Sequence, residues 1–161
     1  MKSIQIISED IYGCDFFKEV AHRINREVRV FCNSAQAWSP KRGRIFAASN
    51  ADLVIVCIDA DARDPEEVER EQLKIIKRSA RSEQDVEKRL KIVVFSYEAE
   101  EWIIASMKLK ISGDKPSEVL RGKMGYEKKD LPKYAPHLDF NVLREMSVRS
   151  FIEFEKAVKD P

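Results

Sequence analysis

Two aspartates one residue apart, Asp59 and Asp61, end the apolar run Leu53-Val54-Ile55-Val56-Cys57-Ile58, and Asp64 follows. Carboxylates so close repel one another unless a proton or a metal bridges them, so the pair suits a hard cation. Glu9 and Asp10 follow a second apolar run, and Glu98, Glu100 and Glu101 a third. Glu9, Asp59 and Asp61 together make a set of hard oxygen ligands for Mg²⁺ or Mn²⁺, ions that keep several waters and bind phosphate oxygens directly. Displacement at phosphorus is the chemistry such sites often serve. Lys41, Arg42 and Arg44 surround Gly43 in a polar loop, with two readings open: contact with substrate phosphate, or a solvated loop.

These residues need a scaffold that brings strand ends together. The run ending at Asp59 is apolar throughout, as in a strand buried on both faces of a parallel sheet. Ser3 to Ser8, Glu27 to Ser34 and Lys91 to Tyr97 read as three further strands. Between them, Asp15 reads as the cap of a helix running to about Arg26, with Phe16, Val20 and Ile24 on its apolar face. A short helix passes through Ile45 to Ala48. Asp64-Pro65-Glu66-Glu67 is a helix start, with Asp64 as its cap. Arg81 to Arg89 reads as helix or exposed loop, and Glu98 to Leu109 as a helix.

The order βαβαβαβα predicts a Rossmann-like α/β fold: a parallel sheet of about four strands with right-handed crossovers, flanked by helices. Residues 1–112 form the core. Residues 113–161 form a helical extension packed on the same domain, with helices over Pro116 to Met124 and Asn141 to Val158 and a loop over Lys128 to Pro136. If the strands run 2-1-3-4, the first and third are neighbours at the topological switch point, and Glu9 meets the Asp59/Asp61 pair in one crevice.

At 161 residues the chain suits one domain, and its net charge of +1 supplies no global field for nucleic acid or membrane. No stretch approaches the ~20 apolar residues of a membrane span, and no leader is expected where a strand pattern begins after one lysine. Cys32 and Cys57 fall inside strand-like runs, so the three cysteines read as buried free thiols of a cytoplasmic protein. Trp38 either stacks a base or packs a loop. Neither His22 nor His137 has a partner at ligand spacing, so zinc and a catalytic triad are not indicated.

The chain resembles the Toprim-like (topoisomerase–primase) domains, in particular small prokaryotic members related to overcoming-lysogenisation-defect nucleases. Glu9 in Ile-Ile-Ser-Glu-Asp and Asp59-Ala60-Asp61 match the Glu that ends that family's first strand and the Asp-x-Asp that ends its third. Glu100-Glu101-Trp102-Ile103-Ile104-Ala105 and the tail Lys133-Tyr134-Ala135-Pro136, followed by Ser150-Phe151, are also similar to small members. The resemblance implies Mg²⁺-dependent phosphodiester chemistry on DNA or RNA. Glu9 would be general acid/base or ligand, Asp59 and Asp61 would hold metal, and Glu100 would be an auxiliary acid. One departure is Asp10, where members usually carry Gly: it either joins the metal site or marks a diverged one.

Two other functions compete. A receiver-like phosphoacceptor domain would use Glu9-Asp10, Asp59, Ser96 and Lys115, though no fifth strand leads into Lys115. A non-catalytic interaction module would use the acidic cluster on a basic partner. The expected partners are therefore DNA or RNA as substrate, no membrane, and a second copy of the chain if the protein is a homodimer.

Overall fold

The structure, a computed structural model, describes residues 1–111 and 113–161. Four strands, β1 (Ser3–Ser8), β2 (Arg29–Ser34), β3 (Leu53–Asp59) and β4 (Leu90–Phe95), form one all-parallel sheet in the order β2-β1-β3-β4. The switch point falls between β1 and β3, where Ile4 pairs with Leu53 and Ile7 with Val56. The α/β sheet flanked by helices is as the apolar runs imply. The expected boundary at residue 112 falls on a position outside the described residues.

β3 is covered on both faces because its residues alternate between two cores. Ile55 and Cys57 face one core with Ile4, Ile6, Phe17 and Trp102, while Val54, Val56 and Ile58 face the other with Phe46, Val68 and Ile76. On the first face lie α1 (Ile11–Ile24), α5 (Glu101–Ser106) and the C-terminal elements. On the second lie α2 (Lys41–Ala48), α3 (Pro65–Lys77) and α4 (Glu83–Arg89).

The C-terminal segment comprises α6 (Pro116–Met124), a 3₁₀ turn at Lys128–Asp130, α7 (Leu131–Tyr134), a second 3₁₀ turn at Ala135–His137, α8 (Phe140–Glu145) and α9 (Arg149–Lys159). Its Leu120, Leu131, Phe151 and Phe154 share the first core with Ile4 and Phe17. Lys128 to Pro136, expected as loop, is thus a chain of short helical turns. Among the described residues, no helix is long and apolar enough to cross a membrane.

Three local expectations change. First, α1 begins at Ile11, with Asp10 rather than Asp15 as its cap: the Asp10 carboxylate accepts from the Gly13 N–H at 2.7 Å. Gly13 lies inside this first turn because α1 starts hard against β1, and a Cβ there would meet Ser8 Oγ at 2.1 Å. Second, the basic stretch is helical from Lys41, so Arg42 lands on the inner face. Third, Cys14 and Cys32 are joined in a disulfide that ties α1 to β2, and only Cys57 is a buried free thiol. Spacing along the chain does not show that the first turn of α1 packs beside β2. The bond also removes the cysteine argument for a reducing compartment.

Candidate functional site

The carboxyl ends of β1 and β3 open into a cleft of about 390 Å³ lined by Glu9, Gln36, Ala37, Trp38, Ser39, Asp59 and Asp61. Glu9 is the exposed residue directly after β1, and Asp59 is the last residue of β3. Parallel pairing of β1 with β3 is what makes them neighbours. Beyond Asp59 the chain continues to pair with the end of β4: Ala60 N–H donates to Phe95 O at 2.8 Å and Ala62 N–H to Ser96 O at 2.9 Å. To turn there, Asp61 and Ala62 take left-handed conformations, with φ of 48° and 70°. Such backbone is uncommon outside glycine and costs on the order of 1 kcal/mol per residue. It projects Asp61 into solvent, 3.7 Å from the Lys115 ammonium.

The three carboxylates predicted to act together therefore line one cleft. They do not close into a ready-made cage: among the described residues, no three His, Cys, Asp or Glu side chains form a group that could hold a metal ion.

A narrower pocket of about 20 Å³ shares Glu9 and Asp59 with the cleft, and Ser8, Asp10 and Lys128 also line it. Burial above all pushes the Asp59 carboxyl well above the ordinary carboxylate range; Lys128 pulls it back, while Glu9, Glu100 and Glu98 push it further up. For Lys128, burial works against the ammonium, but Glu100, with Asp10 and Asp59, outweighs it and holds the pKa above its ordinary value. Lys128 is consequently a positive charge in the small pocket beside Glu9, Asp10 and Asp59. It comes from a 3₁₀ turn of the C-terminal segment, 69 positions after Asp59 (128 minus 59), and no local motif singles it out.

Glu100 stands behind Lys128 rather than in the cleft. It is fully buried, accepts from the Tyr126 hydroxyl at 2.9 Å, and lies 3.2 Å from the Lys128 ammonium. Both of its partners come from the C-terminal segment, which makes Glu100 a buried counter-ion. Glu98 is likewise engaged, accepting from the backbone N–H and hydroxyl of Ser117 at the start of α6.

The basic residues divide. Lys41 and Arg44 are exposed on α2 and are not among the residues lining the cleft. Arg42 is fully buried: its Nε donates to Ala35 O at 3.0 Å, and one terminal nitrogen donates to Cys57 O and Gln72 Oε1, each at 2.8 Å. Its guanidinium is enclosed by protein, so Arg42 does not stand on a solvated loop as the basic run suggests. Burial lowers its pKa, with Cys57, Glu9 and Asp59 acting in the opposite sense, so a buried cation lies beneath the acidic cleft. Lys115, the lysine of the receiver-like reading, meets Asp61 rather than Asp59.

Comparison of the chain with protein-family models, with curated proteins and with solved structures found no match in any of the three.

Proposed function

We propose that the protein acts on nucleic-acid phosphodiesters with Mg²⁺ or Mn²⁺, as a Toprim-like domain would. One observation carries the reading: Glu9, Asp59 and Asp61, from the ends of two adjacent parallel strands, line a single open cleft at the switch point of the sheet. The donor set fits such an ion without a three-ligand cage, because Mg²⁺ is commonly held by one or two carboxylates together with substrate phosphates. Asp59 with Glu9 or Asp61 would hold the ion, which would neutralise the phosphate and stabilise charge developing on its oxygens. The Asp59 carboxyl is pushed up by burial and by neighbouring acids, and a cation beside it would favour its charged form. Glu9, exposed at the rim, is placed to take or return a proton. Lys128, held by Glu100, adds a positive charge beside Asp59 in the small pocket.

Calorimetric titration of Mn²⁺ and Mg²⁺ into the wild type and Asp59→Ala/Asp61→Ala, followed by a cleavage screen on single- and double-stranded DNA and RNA, tests the reading. Mn²⁺ binding that disappears in the double variant, with metal-dependent cleavage by the wild type, supports it. Failure of Mn²⁺ to bind at millimolar concentration, with no metal-dependent cleavage of any of the four substrates, overturns it.

A second reading draws on Lys128. Asp59, flanked by Glu9 and Asp10 and sharing a pocket with a lysine, has the constituents of a phosphoacceptor. Incubation with a small acyl phosphate separates the two: a phosphoryl group on Asp59 favours the receiver-like function.

A further inference from the structure

Among the described residues lining the carboxylate cleft, Trp38 is the aromatic one, and 46 % of it is exposed. An indole that packs a loop is covered by that loop; this one is left half open to water, at the hydrophobic cost such a surface carries. Nor is it on a floppy segment. The loop between β2 and α2 is pinned from below by Arg42 on Ala35 O at 3.0 Å and by Gln72 Nε2 on Ala37 O at 2.8 Å. From within, Ser39 N–H donates to Gln36 O at 3.1 Å. The buried Arg42 thus fixes the chain that presents Trp38, while its other bonds reach β3 at Cys57 O and α3 at Gln72. The Arg63 guanidinium stands 5.7 Å from the centre of the indole ring. Gln36 and Ser39 supply polar groups to the same cleft.

From this geometry we propose that Trp38 is a stacking platform for an unpaired nucleobase whose phosphate lies at the Glu9/Asp59/Asp61 end of the cleft. The proposal rests on the phosphodiester reading and deepens it by naming the substrate class: a single strand, or the end of one, rather than an intact duplex. A flat neutral base tolerates the acidic walls that would repel a bare anion. Inside a duplex both faces of each base are already stacked, so only the two terminal pairs leave a face for the indole. Base-on-aromatic stacking is sequence-tolerant, so the platform selects strandedness rather than sequence.

The protein carries a built-in reporter, because Trp102 is fully buried and Trp38 is the tryptophan that solvent and ligands reach. Tryptophan emission and the anisotropy of a labelled oligothymidylate are followed in the wild type, Trp38→Ala and Trp38→Phe, with and without Mg²⁺. Competitors are a base-free deoxyribose-phosphate strand of equal length, a blunt duplex and thymidine monophosphate. Expected are quenching by the single strand and not by the base-free strand, affinity lower by roughly 10- to 100-fold in Trp38→Ala, and substantial retention in Trp38→Phe. Thymidine monophosphate that binds as tightly as the strand assigns the platform to free nucleotides, whereas weaker binding assigns it to a strand. Equal binding of the base-free strand, or unchanged affinity in Trp38→Ala with its fold intact by circular dichroism, overturns the platform while leaving metal-dependent cleavage standing. Metal binding at the carboxylates with no nucleic acid bound by the wild type overturns both and assigns the exposed indole to a protein partner.

Discussion

Asp59 carries opposing demands, because the position that suits it to a cation also makes its charge costly. Its carboxyl is held well above the ordinary range, first by burial and then by Glu9, Glu100 and Glu98. With the folded value above the unfolded one, the native state retains a proton that the unfolded chain has released, so stability falls as pH rises above the unfolded carboxylate range. Asp59→Asn keeps the shape and removes the charge. Its expected effects are a metal-free fold more stable by about 0.5–2 kcal/mol at neutral pH, a smaller gain at acid pH, and loss of Mn²⁺ binding. Thermal unfolding at two pH values checks this, and a lower melting temperature at neutral pH would mean that Asp59 serves chiefly as a structural partner of Lys128. The candidate site is legible at this scale for Glu9, Asp59 and Asp61, whose type and strand-end position are written in the chain. Arg42 is not legible there, because a Lys-Arg-Gly-Arg run looks the same whether its second residue faces water or a buried carbonyl.

Between elements, the disulfide is the covalent tie. Cys14 lies in the first turn of α1 and Cys32 on β2, 18 positions apart, and the bond encloses α1 from Cys14 onward, the turn after it and β2 as far as Cys32. Closing a loop of that length restricts the unfolded chain by about 3 kcal/mol. Reduction, or Cys14→Ser, is therefore expected to lower the unfolding free energy by about 2–4 kcal/mol, read as a shift of the denaturant midpoint with and without reductant. An unchanged midpoint would show that the bond does not form in solution. Because Asp10 caps the same turn and lines the inner pocket, metal affinity measured after reduction also reports whether the tie holds the site in shape.

Across the whole molecule, Glu101 couples the sheet to the C-terminal segment. One of its oxygens accepts from the Tyr97 N–H at 3.1 Å beyond β4, and the other accepts from the Ser150 hydroxyl at 2.9 Å in α9. Ser150 in turn accepts from the indole N–H of the buried Trp102 at 2.8 Å. Burial pushes the Glu101 carboxyl up to about 7 from its ordinary 4.5, against the hydrogen bonds from Tyr97, Ser150, Ser96 and Glu98. Since the folded value is the higher, the native state binds more protons between about 4.5 and 7, and stability declines as pH rises through that window. Glu101→Gln should flatten that decline between about 4.5 and 7 and leave the slope above pH 7 unchanged. Equilibrium unfolding across the window checks it, and a variant with the same slope as the wild type would place the pH dependence elsewhere.

What the sequence by itself determined is the framework: period-two and unbroken apolar runs mark the four strands, caps such as Asp64-Pro65 mark helix starts, and carboxylates mark the strand ends. These signals are local, so they survive without coordinates. Which carboxylates meet depends on strand order, and the order β2-β1-β3-β4 is a property of the assembled sheet. The arrival of Lys128 and Tyr126 beside Glu100, the burial of Arg42 and the pairing of Cys14 with Cys32 were decided only by tertiary packing. Each joins residues far apart in the chain, and no residue's own neighbours along the sequence specify what it will touch across the fold.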